Sequence, residues 1–113
     1  MADRRPQDAL PLTPALFHVL LALADGEKHG YGIMKEIEQR TSGHVMLSTG
    51  TLYGIVKRLL ADGWIRDSAL GSTDRRRAYR LTPFGRSVAL AEAERLKELV
   101  GAAQMKKIIP IMG

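Results

Sequence analysis

Between Ser48 and Thr82 the chain gathers hydroxyl, aromatic and cationic side chains at spacings that suit contact with a phosphate backbone. Ser48-Thr49-Gly50-Thr51-Leu52-Tyr53 opens a helix in which Leu52, Ile55, Val56, Leu59 and Leu60 recur at helical spacing. The other face of that helix carries Thr49, Tyr53, Lys57 and Arg58. Asp62-Gly63 stops it, and Trp64-Ile65-Arg66 and Tyr79-Arg80-Leu81 then read as two short strands around a turn that holds Arg75, Arg76 and Arg77. Hydroxyls and ammonium groups donate to phosphate oxygens, and a guanidinium does so as a planar fork. A helix presenting such groups beside a basic hairpin is the arrangement with which a winged helix touches double-stranded DNA.

Each candidate has a plainer reading. Ser48, Thr49 and Thr51 could contact phosphate, and one of them could instead cap the helix. Tyr53 could place its hydroxyl on a phosphate or simply pack on its neighbours. Lys57, one turn beyond Tyr53 on the same face, suits a phosphate or a guanine edge. Arg75, Arg76 and Arg77 would ordinarily be a solvated charge run, but a hairpin turn puts them within reach of flanking phosphates or the minor groove. Asp74 beside them subtracts from that attraction. His29 and Tyr31 stand where a second helix begins, between Gly30 and Gly32, whose closeness implies tight packing or close approach to a ligand such as phosphate. His18, His29 and His44 do not have the spacing of a metal motif, so no metal and no cofactor are expected. Nothing resembles a P-loop, a nucleophile elbow or a paired-carboxylate cleft, so an enzyme is not expected.

The elements that must position these groups follow from the rest of the chain. Its 113 residues suit one domain, and 45% hydrophobic residues suffice for a core. The formal net charge is +5, from 17 Lys and Arg against 12 Asp and Glu, which favours a polyanion partner. There is no cysteine, hence no disulfide and no thiolate chemistry. No apolar run approaches the roughly 18 residues of a membrane span, and no apolar stretch follows the N-terminal charges. The expected location is cytoplasmic, with no membrane partner. Residues 1–11 read as a flexible polar arm. Thr13-Pro14 starts a first helix carrying Leu16, Phe17, Leu20, Leu21 and Leu23, and Gly30 to Arg40 forms the second. Thr82-Pro83 repeats the start signal for a last helix, 83–107, before an apolar tail, 108–113. In that helix Ala89, Ala93, Leu96, Val100 and Ala103 are spaced 4, 3, 4, 3, a heptad seam onto which a partner helix could pack. Glu92 with Arg95 reads as an i,i+3 pair on its solvent side.

Leu12-Thr13-Pro14, His29-Gly30-Tyr31-Gly32, Gly50-Thr51-Leu52-Tyr53, Arg58-Leu59 with Gly63, and Arg77 through Tyr79-Arg80-Leu81-Thr82 with Gly85 together resemble the PadR family of bacterial transcriptional regulators. The resemblance runs from Leu12 to about Leu99 and points to the compact branch with one C-terminal helix. It implies a mainly α fold with a small β-hairpin: a winged helix-turn-helix domain over residues 12–82 plus one long C-terminal dimerisation helix. It further implies a homodimeric repressor on a pseudo-palindromic operator, relieved in many members by a small aromatic or drug-like effector held between the C-terminal helices. No aromatic residue follows Phe84, so an aromatic sandwich around such an effector is not expected here. The alternative is a winged-helix protein-interaction module without DNA recognition.

Overall fold

The computed structural model describes residues 4–67 and 77–110. A 3-10 turn, Pro6–Ala9, precedes helix α1 (Pro14–Ala22), strand β1 (Lys28–His29), helices α2 (Gly30–Arg40) and α3 (Thr49–Ala61), strands β2 (Ile65–Asp67) and β3 (Ala78–Leu81), and helix α4 (Pro83–Met105). The architecture is a winged helix: a helical layer, α1 to α3, beside a small antiparallel sheet, with α4 running out from the sheet. The sheet is three-stranded, in the order β1-β3-β2, where the sequence implied only a hairpin. Lys28 and His29 pair with Tyr79 and Ala78. So short a strand has no period of its own and exists only because β3 supplies its partner.

Hydroxyl caps set the helix starts. Thr13 accepts from the Leu16 amide at 3.2 Å, Ser48 from Thr51 at 3.1 Å and Thr82 from Gly85 at 3.0 Å. The Thr-Pro pairs work because proline gives up an amide that the first turn could not use. Helix α3 ends in a Schellman turn at Gly63, whose φ is +75°, with the Trp64 amide donating to the Leu59 carbonyl at 2.9 Å and that of Gly63 to Leu60 at 3.2 Å. The turn delivers Trp64 to a core that includes Leu16, Leu20, Ile33, Leu52 and Val88.

Helix α4 begins directly on that turn. The Thr82 amide donates to the Trp64 carbonyl at 3.0 Å, and its hydroxyl donates to the Gly63 carbonyl at 2.6 Å. Gly85 lies so close to the Trp64 backbone that a Cβ there would overlap the carbonyl oxygen. Gly85 is therefore a packing requirement and not a flexible point.

The N-terminal segment is tied down, unlike the loose arm expected from its polar sequence. The Leu12 amide donates to Glu92 Oε2 at 2.9 Å, Arg4 Nη1 donates to the Asp62 carbonyl at 2.6 Å, and the Arg4 guanidinium stacks 4.5 Å from the Phe84 ring centre. Glu92 is consequently 2% exposed and not on the solvent side. Its carboxylate also holds Arg95 Nε. A buried carboxylate with two such donors is stabilised in its charged form. The Arg95 guanidinium, helped by the Leu12 amide, holds the carboxyl below the usual range against the opposing effect of burial.

Two predictions test this packing. Gly85→Ala should lower unfolding stability by about 3 kcal/mol, because the obstruction is backbone and cannot swing away; urea titration measures it. Glu92→Gln should cost about 1–3 kcal/mol at pH 7 by weakening both bonds. Because the folded pKa of Glu92 is depressed, its contribution is complete above the unfolded value near 4.3 and fades as pH falls through the folded value. Thermal melts between pH 7 and 3 should therefore fall less steeply for the variant than for the parent.

Candidate nucleic-acid interface

Helix α3 is held by one face. Leu52, Val56 and Leu59 are buried, with Ile55 and Leu60 packed at the edges of the core. The opposite face leaves Thr49, Thr51, Tyr53, Lys57 and Arg58 exposed, together with Gly50 and Gly54. No acid lies on α3, and the helix N-terminus adds partial positive charge.

The hydroxyls divide their work. Ser48 is the cap, and its hydroxyl also donates to Thr51 Oγ1 at 3.0 Å, so these two side chains form the start of the helix. Thr49 is exposed and has no hydrogen bond to a described side chain. Tyr53 is 40% exposed, and its ring leans on the start of α2. A Cβ on Gly30 would lie 2.5 Å from the Tyr53 hydroxyl oxygen and 3.0 Å from Cζ. The close approach inferred for Gly30 is thus to Tyr53, which sets the spacing of α2 and α3. Gly32 meets nothing tighter than ordinary contact with the Lys28 side chain.

His29 occupies the cap position of α2 without a side-chain capping bond, and no acid follows in the first turn. Tyr31 next to it is exposed, with the Lys35 ammonium 5.9 Å from its ring centre. The structure thus brings His29, Tyr31 and Tyr53 to one end of the helix-turn-helix, beside an uncapped helix start.

The hairpin differs from the sequence reading in its cations. Arg75 and Arg76 lie outside the described residues. Arg77 pairs with Asp67 across the hairpin at 3.2 Å, so part of its charge is neutralised within the fold. Arg66 and Arg80, not singled out as contacts from the sequence, are cross-strand partners and both exposed. The period-two alternation of Ile65-Arg66-Asp67 and Tyr79-Arg80-Leu81 carried that signal. Gly50 and Gly54 were also missed. Neither has anything within 4 Å of where a Cβ would project, so they leave a bare strip of α3 backbone.

Ion pairing sorts the remaining charge. Lys28 pairs with Asp25 and Glu36, Arg40 with Glu36, and Arg58 with Asp62. Lys57, Arg66 and Arg80 have no ion-pair partner among the described residues.

The seam on α4 also divides. Ala89 packs partly against the domain's own core, and Ala103 sits under a C-terminal turn in which the Ile108 amide donates back to its carbonyl at 2.9 Å. Ala93 is exposed, as are Leu96 at 36% and Val100 at 48%. Leu90, Leu99, Met105 and Ile108 extend that apolar exposure. No described helix is long and apolar enough to cross a membrane.

Comparison with known proteins agrees with this arrangement. The model of the Transcriptional regulator PadR-like family matches residues 19–91. A protein of Streptomyces fradiae named "Uncharacterized 37.1 kDa protein in transposon TN4556" is 46% identical over 83 residues, which cover 74% of this chain but only 23% of that protein. The Transcriptional regulator Rv3488 of Mycobacterium tuberculosis (strain ATCC 25618 / H37Rv) is 36% identical over 83 residues, covering 73% of this chain and 75% of that one. Among solved structures, a transcriptional regulator from Clostridium thermocellum superposes with a TM-score of 0.64 at 26% identity, over 85% of this chain and 92% of that chain. Bordetella bronchiseptica BpsR, whose DNA binding is regulated by 6-hydroxynicotinic acid, gives a TM-score of 0.67 at 24% identity over 87% and 71%, a likeness of fold alone. The chain belongs to the PadR-like family of transcriptional regulators, a family of regulators and not of enzymes.

Proposed function

We propose that the chain is a sequence-specific DNA-binding regulator, a repressor acting as a homodimer on a pseudo-palindromic operator. The observation that carries the reading is the make-up of α3: one face is locked into the core, and the other offers hydroxyls and cations with no acid among them. In this reading Thr49, Tyr53 and Lys57 enter the major groove. His29, Tyr31 and the α2 start meet a flanking phosphate, and Arg75, Arg76 and Arg77 grip the backbone or minor groove beside it. The Ser48–Thr51 cap holds the reading helix in its entry position. Gly50 and Gly54 let a groove wall approach the helix backbone closely.

Residues 12–82 are then the reading head and 83–107 the dimerisation helix. The exposed run Leu96, Leu99 and Val100 favours a second copy, since it leaves more contiguous apolar surface on one helix than a lone domain needs. Two heads joined this way gain affinity by bivalent contact. A small apolar effector would act at this pairing. A recess of about 300 Å³ lined by Leu12, Phe17, Glu92, Arg95 and Leu96 lies beside the seam, where a partner helix would roof it.

Fluorescence titration of the protein with random duplex at low salt tests the core of the proposal. Binding that weakens steeply with salt is expected, and no binding would leave a protein-interaction module as the better reading. Leu96→Glu or Val100→Glu should give monomers in light scattering, with DNA affinity reduced by about tenfold or more. An intact dimer in both variants would move the interface elsewhere. Gly54→Ala should separate stability from function. It raises unfolding stability by about 0.5–1 kcal/mol through helix propensity, while lowering operator affinity by filling the bare strip.

A further inference from the structure

We propose that Arg66 and Arg80 form a two-arginine clamp on a single backbone phosphate of the DNA duplex. The inference rests on the DNA-binding reading above and adds a contact outside α3 and the hairpin turn. Arg66 on β2 and Arg80 on β3 are direct partners in the antiparallel register. Their strand neighbours Ile65 and Tyr79 are buried, so both arginines stand on the outer face of the sheet, and both are exposed.

No described carboxylate relieves them. Asp67, the acid nearest in sequence to Arg66, is paired with Arg77 at 3.2 Å, and Asp62 faces Arg58 at 3.8 Å. Like charges directly opposite one another weaken a β ladder. Packing does not require arginine at either position, since neither side chain is needed to cover the core. The unrelieved repulsion marks a site that gains by accepting an anion.

The geometry suits an anion that offers two acceptor oxygens. Directly opposed residues hold their Cβ atoms about 4.5–5.5 Å apart, so two guanidinium forks can converge on the oxygens of one phosphate. The two non-bridging oxygens of a phosphodiester can each accept from one fork. The position selects duplex DNA as its source. Strand β2 follows α3 through the Gly63–Trp64 turn and packs against that helix, whose outward face carries Lys57 and Arg58. A duplex lying on α3 would bring its backbone past this edge of the sheet.

Arg66→Gln, Arg80→Gln and the double variant, with Lys57→Ala as a comparison, test the clamp by titration with one duplex over a salt series and by thermal melts. Each single variant should bind about tenfold more weakly at low salt. The slope of log affinity against log salt should stay near the parent's in the single variants, because one arginine still neutralises the phosphate. It should flatten by about 0.9 per subunit in the double variant. Without DNA, each single variant should melt about 1–4 °C higher, because the repulsion is gone. Affinity unchanged in both single variants while Lys57→Ala weakens binding would overturn the clamp and leave α3 as the reader. A slope loss of about 0.9 in each single variant would replace the clamp with two separate phosphate contacts. Lower melting temperatures would give the pair a structural role and overturn it as well. A parent protein that binds no duplex would remove the clamp together with the reading beneath it.

Discussion

The close contact between Gly85 and the Trp64 backbone is the constraint on which the rest of this structure depends. At that point the end of α3, the base of the β2–β3 hairpin and the first turn of α4 share a few backbone groups. Gly63 supplies the positive φ that turns the chain out of α3, and Trp64 fills the core while offering its carbonyl to Thr82. Without a Cβ on residue 85, α4 can start directly on this turn. The direction of the long helix is thereby fixed to the direction of α3. Any pairing through α4 would set the distance between two reading heads through this one junction.

A second tie runs from the N-terminal segment. Glu92 takes its bonds from the Leu12 amide and Arg95, while Arg4 covers the C-terminal carbonyl of Asp62 and the Phe84 ring. The segment therefore links α4 to the far end of α3. A cation at a helix C-terminus is electrostatically favourable, and a buried carboxylate is tolerable only when its donors are in place. Electrostatics thus hold the back of the molecule together by pairing. The exposed face of α3 and the outer face of the sheet keep Lys57, Arg66 and Arg80 without described partners.

Much of the fold was legible because its signals are local. Thr13-Pro14 and Thr82-Pro83 announce helix starts through a cap and a fixed φ, and Asp62-Gly63 announces a stop. The apolar spacing of Leu52, Val56 and Leu59 determines which face of α3 turns outward. What was not legible depends on pairing across the chain. Strand β1 is two residues long and defined by β3 alone. The burial of Glu92 comes from an amide 80 residues away, so its spacing to Arg95 looked like an ordinary surface pair. The basic run at Arg75 to Arg77 drew attention because its charges are adjacent in sequence. Arg66 and Arg80 are adjacent only in register, and Gly50 and Gly54 carry no side chain to notice.

The central claim is that the outward face of α3 and the outer face of the sheet form one DNA-binding surface. Amide chemical-shift mapping of the protein against duplex DNA tests it most directly. The account predicts the largest shifts at Thr49 to Lys57, at His29 and Tyr31, and at Arg66 and Arg80, with Glu94 to Glu98 on α4 little changed. Shifts confined to α4 and the C-terminal tail, or none at saturating duplex, would contradict it.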